Sequence, residues 1–140
     1  MRGCSQMAEV RIVHPHERDS STAQTPGMFR AEGVGAKTCD AEGIWVGHVT
    51  VDKGVHSGPH HHGALESAIY VISGRARFRY GERLENVVEG SAGDFIFVPP
   101  YLVHQEINAN EDEPVDMIVA RSSQENIVVN VTLPEEAQEA

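Results

Sequence analysis

From Ile44 onward the chain is a succession of short β-rich runs broken by turn signals, and no other feature restricts its fold as much. The runs are residues 44–51 (IWVGHVTV), 67–73 (SAIYVIS), 75–80 (RARFRY), 84–88, 94–99 (DFIFVP), 102–107 (LVHQEI), 115–121 (VDMIVAR) and 126–131 (NIVVNV). RARFRY alternates Arg with Ala, Phe or Tyr at a period of two, as a strand with one buried face does. Glycines 43, 54 and 74, the pairs Gly81-Glu82, Gly90-Ser91 and Gly93-Asp94, residues 108–114 and Ser122-Ser123 supply the breaks. Pro99-Pro100 cannot lie in a central ladder, so it separates two strands. Short strands at regular spacing, without a helical period, predict an all-β domain: an antiparallel sandwich or barrel.

Residues before Ile44 read differently. Val10–Val13 suggests one short strand, and residues 15–43, rich in Ser, Thr, Gly, Pro and charge, read as an irregular arm. Within it, TAQTPGM (22–28) has too little β-branched alternation to read as a strand. The expected organisation is an N-terminal strand and arm over 1–43, a barrel over 44–132 and an acidic, fraying tail over 133–140. Met7 opens a more natural beginning than Met1, so residues 1–6 read as a loose extension.

Charge narrows the partners. Acidic residues outnumber basic ones 21 to 11, a net charge of −10. Such a surface repels phosphate backbones and anionic lipid, so neither nucleic acid nor a membrane is an expected partner. No apolar run approaches the roughly 20 residues of a bilayer span, and Met1–Val10 lacks the apolar core of a signal peptide. A cytoplasmic protein is expected, with Cys4 and Cys39 as free thiols. There Asn130-Val131-Thr132 is a chance glycosylation match.

The histidines carry the chemistry. Of eight, His48, His56, His60, His61 and His62 lie between 48 and 62. On a strand His60 and His62 share a face and His61 takes the other. Two imidazoles side by side suit a first-row transition metal, and His104 on a later strand can supply a third ligand. Taken alone, a His-His-His run is as readily a solvated loop.

The wider spacing resembles the cupin superfamily. Gly54, His60, His62, Glu66 and Gly74 follow its first motif, G-x5-H-x-H-x(3,4)-E-x6-G, with one departure. Gly93, Pro99, His104 and Asn108 follow its second, G-x5-P-x-G-x2-H-x3-N, with Tyr101 in place of the inner glycine. The resemblance covers roughly residues 44–132 and is to the small single-domain cupins (cupin-2, RmlC-like). It implies a jelly-roll barrel, an antiparallel double-stranded β-helix, around one divalent metal ion such as Zn, Fe, Mn or Ni. The implied ligands are His60, His62, His104 and Glu66.

Glu66 fits the motif counted forward from His62, whereas counting back from Gly74 puts the glutamate position at Ser67. The two readings place opposite faces of the strand inward. Glu66 is the favoured ligand, because a buried carboxylate without a cation is costly. His48 or His56 can fill the place instead, while His14 and His16 read as surface residues. Glu106 shares the face of His104 and can serve as a general acid or base, although a solvated place at the rim is the more ordinary reading. Tyr70 and Tyr101 read as core or rim residues, and Trp45, Phe78, Phe95 and Phe97 as core. The Arg75, Arg77, Arg79 stripe reads as a solvated or subunit-contact face.

Function follows from the site and not from the barrel. The first expectation is a metal-dependent enzyme of oxygenase, isomerase or polyketide-cyclase type, acting on a small organic substrate at open metal positions. The alternative is a non-catalytic small-ligand binding or sensing module with a structural metal. Strand edges must be covered, and the segment 8–43 can cover that of a second copy, so a homodimer is expected.

Overall fold

Side chains that alternate in and out along each run sort the chain into two facing sheets. The computed structural model of the protein describes residues 8–22, 24, 26–110, 112–125 and 128–133. The first sheet has the order β1 (Met28–Val34), β2 (Trp45–Val51), β9 (Val115–Arg121), β4 (Ser67–Ser73), β7 (Phe95–Val98). The second has the order β10 (Val129–Asn130), β3 (His60–His61), β8 (His104–Asn108), β5 (Arg75–Tyr80), β6 (Asn86–Ser91). All the pairings are antiparallel. The chain crosses between sheets from β2 to β3, β3 to β4, β4 to β5 and at each step from β6 to β9, which is the winding of a jelly roll.

The core lies between the sheets. Trp45, Val49 and Val51 of β2 meet Val115, Met117 and Val119 of β9, with Ile69 and Val71 of β4 beside them. Ala76 and Phe78 close it from the second sheet. Each such apolar side chain contributes about 1.5–3 kcal/mol by leaving water. The β4–β5 connection turns on Gly74 at φ 84, where a Cβ would come within 2.8 Å of Asn110 and 2.9 Å of the Pro114 carbonyl.

Three expectations change. The arm is not irregular throughout: Met28–Val34 is a full strand paired with β2, followed by a short helix, α1 (Ala36–Cys39). Its inward side chains are Met28, Arg30 and Glu32, so charge interrupts the apolar alternation that marks a strand in sequence. Val10–Val13 is not a strand, and Val10 and Ile12 are exposed. The segment is tethered instead by Arg11, whose Nη1 donates to the Cys39 carbonyl at 2.6 Å and pairs with Asp40 at 3.2 Å. Phe95 and Phe97 leave the core, because Ile96 and Val98 take the inward positions of β7 and the period of two turns the phenylalanines outward.

Trp45 and Phe78 are buried, and Arg75 and Arg77 meet Glu89 on the neighbouring strand at 3.6 and 2.6 Å. Cys39 is a free thiol. Leu133 is buried against Leu84 and Val103. Cys4, the extension 1–6 and the tail from 134 onward lie outside the described residues. Among those described, no helix is long and apolar enough to cross a membrane.

Candidate metal centre

His60 and His104 are direct cross-strand partners in the β3–β8 ladder. His62, one position beyond the end of β3, returns to the face of His60, and all three rings are buried. One ligand atom from each lies within 4.8 Å of the others, so the three can hold a metal ion. Ring centroids are 4.9 Å apart for His60 and His62, 4.5 Å for His60 and His104, and 5.2 Å for His62 and His104.

The backbone sets two of these rings. His60 Nδ1 lies 2.8 Å from the Gly58 carbonyl and His104 Nδ1 lies 2.9 Å from that of Leu102. A carbonyl oxygen only accepts, so each Nδ1 donates its proton and leaves Nε2 with a lone pair. Metal-binding histidines are oriented in this way. Burial pushes the pKa of His60 below the ordinary imidazole value, against the opposing pull of Glu106 and the Gly58 carbonyl, with His104 and Arg30 lowering it further. The donor set and its protonation therefore suit a first-row dication.

The loop carrying these residues is held at both sides. The Ser57 N–H donates to the Glu106 carbonyl at 2.8 Å, and the Val131 N–H to that of Pro59 at 3.1 Å. The Tyr101 N–H donates to the Gly63 carbonyl at 2.8 Å.

Glu66 lies outside this group. It is exposed just before β4, while Ser67, Ile69 and Val71 face inward, so the carboxylate is turned away from the histidines. His48 shares a face with Val46, but it is the outer face, where His48 Nε2 meets Asp116 at 3.0 Å. His56 is exposed and contacts Gln105 at 3.0 Å. His61 points away from the site, its Nδ1 accepting from the Gly63 N–H at 3.0 Å. His14 and His16 are exposed.

Glu106 is partly buried on the inward face of β8, not solvated at the rim. Burial alone would raise its pKa, but His104, His60, Arg30 and His62 together outweigh that and hold it below the usual carboxylate range. Arg121, nine-tenths buried at the inward end of β9, also couples to Glu106. The sequence reading passed over both arginines. Arg30 lay in a segment read as arm, but the inward position of Arg121 is legible, since it continues the alternation Val115, Met117, Val119.

A cavity of about 310 Å3 opens beside His104. Phe78, Tyr80, Ile96, Val98 and Leu102 make its wall mainly apolar. Its volume is in the range of small-molecule pockets.

The cupin-domain family model matches residues 47–121. The chain belongs to the cupin family. The cupin positions outside the histidine set now have structural roles. Asn108 is buried, its Nδ2 donating to the carbonyls of Val51 at 3.0 Å and Glu113 at 2.9 Å while its Oδ1 accepts from the Asn110 N–H at 2.7 Å. Tyr101, at the position of the motif glycine, has a left-handed backbone at φ 60.

Solved structures agree on the cupin jelly roll. The polyketide cyclase RemF from Streptomyces resistomycificus aligns with a TM-score of 0.72 at 21% identity, over 94% of this chain and 92% of that one. KdgF from Halomonas sp. aligns at 0.67 and 19% identity, over 84% and 97%. Bacillus subtilis oxalate decarboxylase, in a study of its Mn(II) centres, aligns at 0.68 and 23% identity, over 86% of this chain but 33% of that one. No curated protein sequence matches the chain.

Proposed function

We propose that this cupin is a mononuclear metal-dependent enzyme that moves protons on a small, mainly apolar organic substrate, as an isomerase or a cyclase of polyketide type does. The observation that carries the reading is the group of three buried histidines, with ligand atoms within 4.8 Å of one another, of which His104 also forms part of the wall of an apolar cavity. RemF, similar over nearly the whole chain, bears the name of a polyketide cyclase, and the decarboxylase is described with Mn(II) centres.

In this reading His60, His62 and His104 hold one Zn, Fe, Mn or Ni ion. Such an ion, when bound, supplies Lewis acidity to a substrate oxygen. The chain supplies the rest. Phe78, Ile96, Val98 and Leu102 take the apolar body of the substrate and exclude water. Glu106, on the inward face of β8 two residues from His104, accepts a proton from substrate carbon and returns it elsewhere.

The test is a screen of the metal-loaded protein against diketones, catechols and flavonols, following both oxygen uptake and exchange of substrate carbon-bound hydrogen with deuterated water. Exchange above the buffer rate, without oxygen uptake and lost in Glu106→Gln, is the expected result. Oxygen consumed in step with substrate would make the protein an oxygenase. Saturable binding without turnover would make it a binding module.

The reading includes a homodimer. β7 ends its sheet, and its Phe95 and Phe97 form an uncharged outer patch with Tyr70 and Ile72; the rings of Tyr70 and Phe95 are 4.8 Å apart. An uncharged edge of this kind requires covering, and a second copy offers the same edge. Sedimentation at micromolar concentration is expected to give a dimer that Phe95→Glu dissociates, and a monomeric wild type would refute it.

A further inference from the structure

The barrel interior holds charge of both signs: Arg121 and the partly buried Arg30, with Glu32 and Glu106. Arg121 continues the core face of β9, with its guanidinium 5.1 Å above the ring of Trp45. Its Nε has no hydrogen-bond partner, although the atom is buried. A buried donor left unpaired costs about 1–3 kcal/mol, more on a charged group. Arg30 points into the same interior from β1, and Glu106 is the carboxylate to which both guanidiniums couple. Glu32, the other buried carboxylate nearby, accepts the Thr38 N–H at 2.8 Å at the β1–α1 corner.

Arg121 is also reachable. It forms one wall of a second cavity, of about 250 Å3, lined as well by Trp45, Lys37, Gln124 and the carboxylates of Glu32 and Glu125. Lys37 adds a cation to that wall, paired with Asp19 at 3.6 Å. The cavity is polar where the one beside His104 is apolar.

We infer that Arg121 is the anion-binding residue of this cupin: its buried guanidinium takes a carboxylate or enolate oxygen of an organic anion that enters through the polar cavity over Trp45. Arg is suited to the role because its planar fork meets a carboxylate with two parallel hydrogen bonds. The inference adds a substrate class, organic anions, to the proposed function. It depends on that reading only for the chemistry that follows binding.

Trp45, the single tryptophan of the chain, is a built-in reporter of this site. The probes are benzoate and its uncharged isostere benzamide, titrated into metal-free and zinc-loaded protein and followed by Trp45 fluorescence and by calorimetry. Benzoate is expected to bind saturably in both forms and at least ~10-fold more tightly than benzamide. Arg121→Gln is expected to weaken benzoate at least ~10-fold without altering zinc uptake, and Arg121→Lys to recover part of the loss. Benzamide binding as well as benzoate overturns the inference, and that comparison needs no variant. So does benzoate binding that requires zinc and survives Arg121→Gln, since the anion would then sit at the metal. Failure to take up zinc is a separate result: it removes the metal reading and leaves the anion site standing.

Discussion

His60 and His104 stand directly opposite each other across the β3–β8 ladder, and each places its Nδ1 on the carbonyl two residues before it, Gly58 and Leu102 respectively. The same side-chain-to-backbone contact is thus used on both strands to fix ring plane and tautomer. A backbone carbonyl orients each ring, so the geometry follows in part from the backbone path.

Glu66 is expected to be dispensable for metal binding. Its side chain is exposed and Ser67 occupies the inward position. Glu66→Ala should hold zinc within about twofold of wild type in a chelator competition, whereas a directly bound carboxylate would cost far more. A loss of tenfold or greater would restore Glu66 as a ligand.

Tyr101 pays for its backbone. A non-glycine residue at φ 60 carries about 1–2 kcal/mol of strain, offset in part by the flexibility that glycine adds to the unfolded chain. Tyr101→Gly should stabilise the protein by about 0.5–1 kcal/mol in urea unfolding, and Tyr101→Ala should not. Destabilisation by glycine would mean that the exposed ring, 6.0 Å from that of His61, matters more than the strain.

Asn108 satisfies three backbone groups, one at the end of β2 and two in the β8–β9 connection. Asn108→Ala leaves the carbonyls of Val51 and Glu113 without this donor and is expected to cost about 2–4 kcal/mol in the same measurement. A change under about 0.5 kcal/mol would show that water replaces the amide fully.

The sequence made the strands after Ile44 legible because their buried positions are apolar at a period of two, and β4 and β9 fall at the predicted residues. His60 and His62 were legible for a related reason, being two apart in sequence and so on one face. β1 was not, since Arg30 and Glu32 occupy its inward positions and an alternation count reads them as surface. The face of β4 was undecided because Ile69 and Val71 on one side, and Tyr70 and Ile72 on the other, are equally apolar in sequence. Only pairing with β9, which sets Ser67 opposite Arg121, distinguishes them.

The metal-free protein should lose stability as pH falls below 6.5. Burial lowers the pKa of His60 in the native state, while the unfolded chain titrates near the ordinary value of 6.5. Between the lowered value and 6.5 the unfolded chain binds more protons, so stability rises with pH across that window and is fully present above it. Glu106 acts lower: its depressed pKa gives stability that is present above 4.5 and lost as pH falls through the native value. Denaturant midpoints between about pH 5.5 and 7.5 therefore isolate the histidine, and His60→Asn should flatten the slope. An equal slope in both proteins would contradict the assignment.

The most direct test is the metal stoichiometry of protein purified without a histidine tag, measured by elemental analysis after loading and desalting. One ion per chain in the wild type is predicted, falling to near zero in His60→Ala, in His62→Ala and in His104→Ala, while His48→Ala and His56→Ala retain a full complement. A wild type that holds no metal, or one whose metal survives the loss of His104, would contradict the account.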